Sequence, residues 1–219
     1  MPAEPPGNLA APARRAAARA GRRAVDHRHG QTGARGRARR TMKTLWLLRH
    51  AKSSWSDPGL DDFDRPLNKR GRGACAIMGR LIAERGVDPA CLVCSPSART
   101  RETLTRVAAF AAFSAAPRFE PMLYEADVSD LMQVIRGLPA DAADALIIGH
   151  NPGLQDLALA LAHDQHGAAG DTPLNRLEDK FPTAALARLS LDIDAWVDLV
   201  PGRGQLISFD VPKDHASVV

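Results

Sequence analysis

The sequence predicts an α/β protein: a three-layer sandwich with a mainly parallel central sheet flanked by helices. From Lys43 onward, short apolar runs alternate with longer segments in which apolar residues recur at helical spacing. Such alternation is typical of parallel sheets, because two parallel neighbours need a crossover connection that is usually a helix. The chain has 219 residues, and we expect residues 42–219 to form a single domain.

The individual elements follow from these patterns in chain order. Strands are predicted at residues 44–48, 91–94, 118–123, 145–148, 184–191 and 205–211. Helices are predicted at residues 66–85, 98–113, 129–136 and 154–162. Gly86 suits the left-handed conformation that follows many helices, so it predicts the end of the first one. The polar, Gly-rich residues 163–182 are predicted to form an exposed loop.

Two of these helices begin with residues that suit a helix N-terminus. Ser95 or Ser97 can cap the helix after the second strand, and Pro96 suits its first position. Asn151 can cap a later helix, with Pro152 at its first position. Because N-terminal N–H groups carry a partial positive charge, both helix starts predict affinity for an anion.

The first 41 residues differ from the rest in composition. They contain ten arginines, no lysine and two acidic residues, with almost no large apolar side chains. We expect residues 1–41 to form a disordered Arg/Ala-rich tail, because they cannot bury enough apolar surface to offset chain entropy. Three interpretations stay open: a basic arm for nucleic acid, an organelle-targeting peptide, and a functionless segment upstream of a true start at Met42.

The composition of the body excludes several classes of protein. Of the 29 basic and 25 acidic residues, 19 and 23 lie in residues 42–219, so the body carries a net charge of −4 and nucleic acid is not an expected partner. No apolar run reaches the roughly 18 residues of a membrane span, so no membrane partner is expected. Residues 1–41 lack the apolar region of a secretory signal. We therefore expect a cytoplasmic protein.

The three cysteines do not form a disulfide framework. Cys91 and Cys94 are predicted to point to opposite faces of one strand, as core residues that neither bridge nor chelate together. His163 and His166 lie close to Asp164, but the sequence places no further ligand beside them, so no metal site is expected there.

Three of the predicted strands are followed by residues that can bind phosphate. Arg49 and His50 follow the first, Arg99 follows the second, and His150 follows the fourth. Ligands of an open α/β sheet bind beyond the carboxyl ends of its strands, so we expect these side chains to converge. Arginine recognises phosphate oxygens in a bidentate manner. The sequence therefore predicts a phosphate pocket that contains two imidazoles.

These motifs resemble the histidine phosphatase superfamily, which has the phosphoglycerate-mutase-like fold. The matching segments are Leu48-Arg49-His50-Ala51, Ser95-Pro96 with Arg99 and Thr103, and Gly149-His150. The short body is similar to the SixA-type phosphohistidine phosphatase branch, with Asp64-Arg65-Pro66-Leu67 and Gly149-His150-Asn151-Pro152-Gly153 as the matching segments. Ala51 is a departure, since many members have glycine there, but a methyl group is not expected to block the chemistry.

The resemblance implies a covalent mechanism. It assigns His50 as the nucleophile whose ring nitrogen takes the phosphoryl group, and water then hydrolyses the phosphohistidine. It assigns Arg49 and Arg99 to the equatorial oxygens, and a protonated His150 to a further contact. Neither a cofactor nor a metal is expected, because the arginines supply the charge that metal ions supply in kinases.

Three other residues are candidates at the same site. The family's Arg-Pro-Leu segment implies that Arg65 is a further phosphate contact, and Lys52 can attract anions. Glu125 is the candidate proton donor to the leaving group, a role that a phosphoramidate substrate needs less than an ester does. Four acidic residues near Arg65 are interpreted as solvated or partner-facing: Asp57, Asp61, Asp62 and Asp64.

The expected function is removal of phosphate from phosphohistidine in a signalling or phosphotransfer protein. The expected partner is thus a phosphorylated protein or a small phosphorylated metabolite. A phosphatase of small phosphate monoesters is the alternative enzyme, and a mutase ranks below it because residues 51–66 and 117–127 are short for a substrate-retaining cap. A non-catalytic phosphate-binding protein is the alternative from another class, but the residues whose loss would mark it are all present.

Overall fold

The computed structural model describes residues 42–162, 170 and 172–218. In this part of the chain six strands form one sheet: β1 (Lys43–Arg49), β2 (Cys91–Cys94), β3 (Pro117–Phe119), β4 (Asp144–Gly149), β5 (Leu186–Leu191) and β6 (Gly204–Asp210). The spatial order is β3-β2-β4-β1-β5-β6. Strands β3, β2, β4 and β1 are parallel, while β5 is antiparallel to both β1 and β6. The predicted mainly parallel sheet is confirmed.

Helices cover both faces of the sheet: α1 (Lys69–Glu84), α2 (Ala98–Ala108), α3 (Val128–Arg136), α4 (Gly153–Leu161) and α5 (Pro173–Asp179). Successive β1 residues point to opposite faces. Leu45 and Leu47 pack with the buried residues of α3, α4 and α5. Trp46 and Leu48 pack with those of α1 and α2. Both faces of the sheet are therefore apolar and buried, which confirms the three layers.

Local signals explain the bounds of α1. The Asn68 side chain accepts a hydrogen bond from the Gly71 N–H at 2.8 Å, so the helix begins three residues after the predicted position 66. Gly86 follows the helix with φ +62°, the left-handed conformation expected of it. The cysteines also agree with the prediction, since Cys91 and Cys94 pack in the cores on opposite faces and all three thiols are free.

Several predicted elements are corrected by the structure. The stretch 163–182 is not all loop, because α5 begins after Thr172, whose side chain accepts a hydrogen bond from the Asn175 N–H, and buries Leu174 and Leu177. Helix α2 ends five residues before the predicted position 113. The strand predicted at 118–123 is β3 followed by a 3-10 turn at Pro121–Leu123.

The predicted tail (residues 1–41) and the segment that contains His163, Asp164 and His166 lie outside the described residues. The expectations for them stay predictions. Within the described part of the chain, no helix combines the length and apolar character required to cross a membrane.

Candidate active site

The order of the strands brings the candidate residues together. Strand β4 lies between β1 and β2, with Arg49 opposite Gly149 and Cys94 opposite Ile148. The next residues along the three strands therefore meet at one edge of the sheet, namely His50, Ser95 and His150. A cavity of about 360 Å³ opens at this edge, and its lining includes Arg49, His50, Lys52, Arg65 and Arg99.

His50 follows β1 directly and its side chain is buried. Its Nδ1 lies 2.8 Å from the Ala51 carbonyl oxygen, which can only accept, so Nδ1 carries the proton in the neutral ring and Nε2 keeps the lone pair. Burial lowers the pKa of His50 from 6.5 to about 4; the hydrogen bond to Ala51 opposes this shift, and the charges of Arg99 and Arg49 reinforce it. At neutral pH the ring is therefore uncharged, the form that a nucleophile needs.

His150 lies beside His50, with 5.0 Å between the ring centroids, rather than on the cavity wall. Its Nε2 is 2.8 Å from the Ser95 hydroxyl and 3.4 Å from that of Ser97. Burial lowers the pKa of His150 to about 3, and the neighbouring His50 and Arg99 reinforce the shift. This environment favours the neutral ring, not the protonated form that the resemblance implies. A bound phosphate dianion would oppose the shift, because a nearby opposite charge raises the pKa of a histidine.

Among the described residues, the Arg49 side chain donates one hydrogen bond, so its other N–H groups are available to a ligand. Its Nη1 donates to the Phe181 carbonyl oxygen at 2.6 Å, while its buried Nε makes no hydrogen bond with any described residue. Burial, and then the charge of Arg99, lower the pKa of Arg49. A buried donor without a partner is costly, so the side chain is well placed to gain from an anion in the cavity.

Asp62 binds the two other arginines of the site. Arg99 donates to both the backbone carbonyl and the Oδ2 of Asp62, the latter at 2.8 Å. Arg65 donates to Asp62 Oδ1 at 2.6 Å. Burial raises the pKa of Asp62, but a hydrogen bond from Tyr124, the charge of Arg99 and the hydrogen bonds of Arg65 and Arg99 outweigh it, so the net pKa is lowered. The interpretation of Asp62 as a solvated or partner-facing residue is therefore incomplete, because the carboxylate fixes two guanidinium groups.

Arg65 is engaged by the protein on every side. Its Nε donates to the Ser54 carbonyl at 2.9 Å and its Nη2 to the Ser53 hydroxyl at 2.8 Å. The Asp62 contact occupies Nη1, and the guanidinium carbon lies 3.1 Å from the centroid of the Trp55 ring. This pattern favours a residue that holds the wall of the cavity over the direct phosphate contact that the resemblance implies.

Tyr124 connects Asp62 with the histidines. Its hydroxyl donates to Asp62 Oδ2 at 3.0 Å and its ring meets that of His150 edge-on at 5.5 Å. The following segment is fixed against α4, because a Cβ on Gly153 would lie 2.1 Å from the Ala126 carbonyl oxygen. Only glycine permits this approach. Sequence reasoning did not single out Tyr124, because the neighbour that matches an acid of the family is Glu125.

Ala51 and Thr103 join the nucleophile to α2. The Ala51 N–H donates to the Thr103 hydroxyl at 3.0 Å, and that hydroxyl donates to the Arg99 carbonyl at 2.6 Å. The Ala51 methyl group is fully buried in the core that contains α1 and α2, so alanine is accommodated where many relatives have glycine. Thr103 thus gains a physical role that its place in the motif alone did not reveal.

The remaining candidates lie at the mouth of the cavity or beyond it. Lys52 is exposed and lines the cavity. Glu125 is exposed, has φ 54° and does not line the cavity. Its role as proton donor stays a prediction.

The predicted helix caps proved to have other partners. Ser97 stands at the N-cap of α2, but its side chain bonds Thr100 and His150 instead of a backbone N–H. Asn151 does not cap α4, which begins at Gly153 after Pro152; its amide donates to Gln155 Oε1 at 3.0 Å. The serines orient His150. Polar residues next to a histidine that follows a strand were the sequence signal that could have predicted this role.

In residues 42–162, 170 and 172–218 no three His, Cys, Asp or Glu side chains form a metal-binding group.

Comparisons with known proteins agree with this geometry. Residues 45–145 match the model of the histidine phosphatase superfamily (branch 1). An uncharacterised protein of Mycobacterium tuberculosis is 31% identical over 166 residues, which cover 76% of this chain and all of that protein.

Two similar solved structures carry the provisional name phosphohistidine phosphatase SixA. The one from Nakamurella multipartitia is 28% identical, with a TM-score of 0.67, and the match covers 78% of this chain and 96% of that chain. The one from Agrobacterium tumefaciens is 29% identical, with a TM-score of 0.62, and the match covers 78% and 98%.

Proposed function

This chain belongs to the histidine phosphatase superfamily, in its SixA-like branch, and we propose that it is a metal-independent phosphohistidine phosphatase. The observation that carries the proposal is the neutral, buried His50 beside Arg49 and Arg99 in one cavity. A lone pair on Nε2 and two cationic donors are what a phosphoryl transfer to nitrogen requires.

The first step transfers the phosphoryl group to His50. The Nε2 lone pair attacks phosphorus, the bond from phosphorus to the substrate nitrogen breaks, and the leaving imidazole takes up a proton from solvent. Arg49 and Arg99 stabilise the charge on the equatorial oxygens, and each such donor typically contributes about 10²–10³ in rate. The hydrogen bond from Nδ1 to Ala51 stabilises the positive charge that develops on the His50 ring.

The second step returns the enzyme to its starting form. Water attacks phosphorus, the bond from phosphorus to His50 breaks, and inorganic phosphate leaves with the protons that the water supplied. An imidazole leaving group needs little help from an acid, whereas an alkoxide needs a donor. We therefore propose that Glu125 acts in ester hydrolysis alone, and that Glu125→Gln slows ester turnover while phosphohistidine turnover stays unchanged.

A phosphorylated protein is the proposed substrate, ahead of a small phosphate monoester. The mouth of the cavity is open, with Trp55 78% exposed beside it. Residues 51–66 and 117–127, which flank the site, are too short for a closed cap. The names of the two SixA-like structures support phosphohistidine as the substrate.

We also propose a cytoplasmic location. All three cysteines are free thiols, Cys75 and Cys94 are buried, and burial raises their pKa to about 11 and about 12. Free thiols are typical of proteins from reducing compartments. Metal independence is proposed because Arg49 and Arg99 already supply cationic charge at the cavity.

The test is phosphate release from a phosphohistidine-bearing protein in the presence of a chelator. The full-length protein is compared with its His50→Ala variant. We expect turnover in the first and a loss of at least about 10³-fold in the second, because the covalent route is removed. Quenching in alkaline detergent, which preserves phosphohistidine, should trap a phosphorylated wild-type chain and an unlabelled variant.

Three results would contradict the proposal, each in a different way. Wild-type turnover in the His50→Ala variant would remove His50 as the nucleophile. Activity only in the presence of a divalent metal would overturn the charge argument. Turnover of small aryl phosphates but not of the phosphoprotein would favour the monoester phosphatase.

A further inference from the structure

A second cavity of about 290 Å³ adjoins the catalytic one, and we refer to it as the basic groove. Four basic residues and an apolar floor line it, together with Thr183: Lys52, Arg70, Lys180 and Lys213 around Ala74, Pro182, Val211 and Pro212. Lys52 and Thr183 line both cavities. A positive surface therefore continues from His50 to the C-terminal segment.

Four separate parts of the fold supply the cations. Lys52 follows β1, Arg70 lies in the first turn of α1, Lys180 follows α5, and Lys213 lies in the 3-10 helix Pro212–Val218. All four side chains are exposed. Their convergence is a property of the tertiary structure, because no stretch of the sequence groups them.

The described part of the chain does not compensate these charges. Among the described residues none of the four side chains forms an ion pair, while Asp214 beside Lys213 is bound by Arg176 and Asp210 is bound by Arg85. Among the described residues that line the groove none is acidic, although residues 42–219 have a net charge of −4. Arg70 also stands at the end of a helix where the macrodipole disfavours a cation. Stability alone does not explain this arrangement.

We infer that the basic groove binds carboxylate side chains next to the phosphorylated residue of an acidic protein substrate. This inference rests on the proposed function, because it assigns a second contact to the same substrate. The apolar floor fits the body of a peptide, and the long exposed cations fit carboxylates at variable positions. A second phosphate would call for buried guanidinium groups like those around His50.

Charge reversal in the groove tests the inference. Full-length Lys180→Glu/Lys213→Glu is compared with the wild type and with Arg118→Glu/Arg203→Glu. The control pair consists of exposed residues, on the edge strand β3 and on the β5–β6 connection, which lies at the opposite edge of the sheet. Residues 1–41 are present in every protein, so their charge contributes equally.

Three substrates distinguish an effect on binding in the groove from an effect on the catalytic centre. They are a synthetic phosphohistidine peptide with three flanking glutamates, the same peptide with glutamines, and p-nitrophenyl phosphate. We expect the groove variant to raise KM for the glutamate peptide about tenfold with kcat unchanged, because exposed charge pairs are individually weak but add across the groove. Its kinetics on the other two substrates should stay within about twofold of the wild type, as should all those of the control variant.

Several results would overturn the inference. One is an equal change in KM for the glutamate and glutamine peptides, and another is an equal change in KM for the groove and control variants. A third is that the groove variant is inhibited less by pyrophosphate, a probe for a second phosphate, while its KM for the glutamate peptide is unchanged. If the wild type turns over none of the substrates, the proposed function fails, and anisotropy with the unphosphorylated glutamate peptide decides about the groove. An approximately tenfold higher Kd for the groove variant would then support the inference, and an equal Kd would overturn it.

Discussion

The sheet has one cavity at the amino ends of its parallel strands, here called the amino edge, and one at their carboxyl ends, the carboxyl edge. The two cavities are of similar size but differ in how their polar groups are satisfied. At the amino ends of β1 and β4 a cavity of about 440 Å³ is lined by residues that include Thr44, Asp144 and two arginines. There Arg85 forms a two-point ion pair with Asp210, and the Arg188 guanidinium lies 5.2 Å from the centroid of the Trp46 ring. At the carboxyl ends the cavity of about 360 Å³ is smaller.

The difference lies in how the polar groups are satisfied. The amino-edge arginines have partners within the protein, and the Asp144 carboxylate accepts the Ala90 N–H at 2.8 Å. At the carboxyl edge the buried Arg49 Nε and His150 Nδ1 make no hydrogen bond with a described residue. Buried polar atoms without a partner and lowered histidine pKa values occur together at the carboxyl ends, and this combination marks a site of chemistry better than the size of a cavity does.

Replacing an arginine at each edge is the strongest test of this contrast. We expect Arg99→Ala to lower kcat/KM for phosphohistidine by about 10²–10³, because it removes a donor to the transferring phosphoryl group. Arg188→Ala at the amino edge should leave kcat/KM unchanged within about twofold, since Arg188 touches no part of the site. Steady-state phosphate release measures both, and similar losses in the two variants would refute the contrast.

The histidines should titrate unlike ordinary surface histidines. We expect NMR titration to give pKa values of about 4 for His50 and about 3 for His150, assigned with His→Ala variants of each. Both values lie below the usual 6.5, so the unfolded chain binds more protons as the pH falls from about 6.5 towards 4.

This proton linkage has a definite sign for stability. The free energy of unfolding should be highest above pH 6.5 and should decrease as the pH falls through the folded-state pKa values. Urea denaturation at several pH values measures it. Midpoints near 6.5 for both rings would show that the site is more hydrated than the burial of His50 indicates.

Two glycine substitutions compare a tightly packed position beside the site with an open position on the protein surface. Gly153→Ala should lower the free energy of unfolding by about 1–3 kcal/mol, because the added Cβ would lie 2.1 Å from the Ala126 carbonyl oxygen. Gly73→Ala meets nothing within 4 Å in α1 and should raise the free energy of unfolding by about 0.5–1 kcal/mol. Opposite changes in the thermal midpoint are the expected signature, and a loss of stability in both would contradict it.

A modest effect on turnover is expected at Asp62. Asp62→Asn should lower kcat about tenfold, because Arg99 and Arg65 lose the carboxylate that fixes them. Inhibition by inorganic phosphate should not weaken, because the substitution makes the cavity more positive. Parallel measurement of kcat and of the phosphate inhibition constant tests both parts. Weaker phosphate inhibition with unchanged kcat would show that Asp62 has no positioning role.

Much of the fold and of the site could be predicted from the sequence because strand ends carry their own signals. The apolar run before His50 and the one before His150 fix where β1 and β4 end, and their parallel pairing follows from the alternation of elements. Asp62 could not be predicted in the same way. Its contact with Arg99 spans 37 residues and depends on where the loop before α1 returns to the sheet.

Local competition explains the other errors. Ser95 and Ser97 suit helix caps, but the Ser95 hydroxyl lies 2.8 Å from the buried His150 imidazole and the Ser97 hydroxyl lies 2.8 Å from that of Thr100. Helix α5 was missed because the Gly-rich stretch before it outweighed a short capping signal at Thr172 and Pro173. In both cases the sequence shows what a residue can do, and the tertiary surroundings decide between the options.

The close contact between Gly153 and Ala126 also constrains how this protein can diverge. The segment that carries Tyr124 is fastened to the start of α4, so an insertion there would pull the aromatic ring away from His150 and Asp62. The exposed residues 56–61 have no such anchor in the sheet. Lineages that acquire a new substrate preference by gaining loop length should therefore do so between Trp55 and Asp62, while the opposite wall keeps its ancestral length.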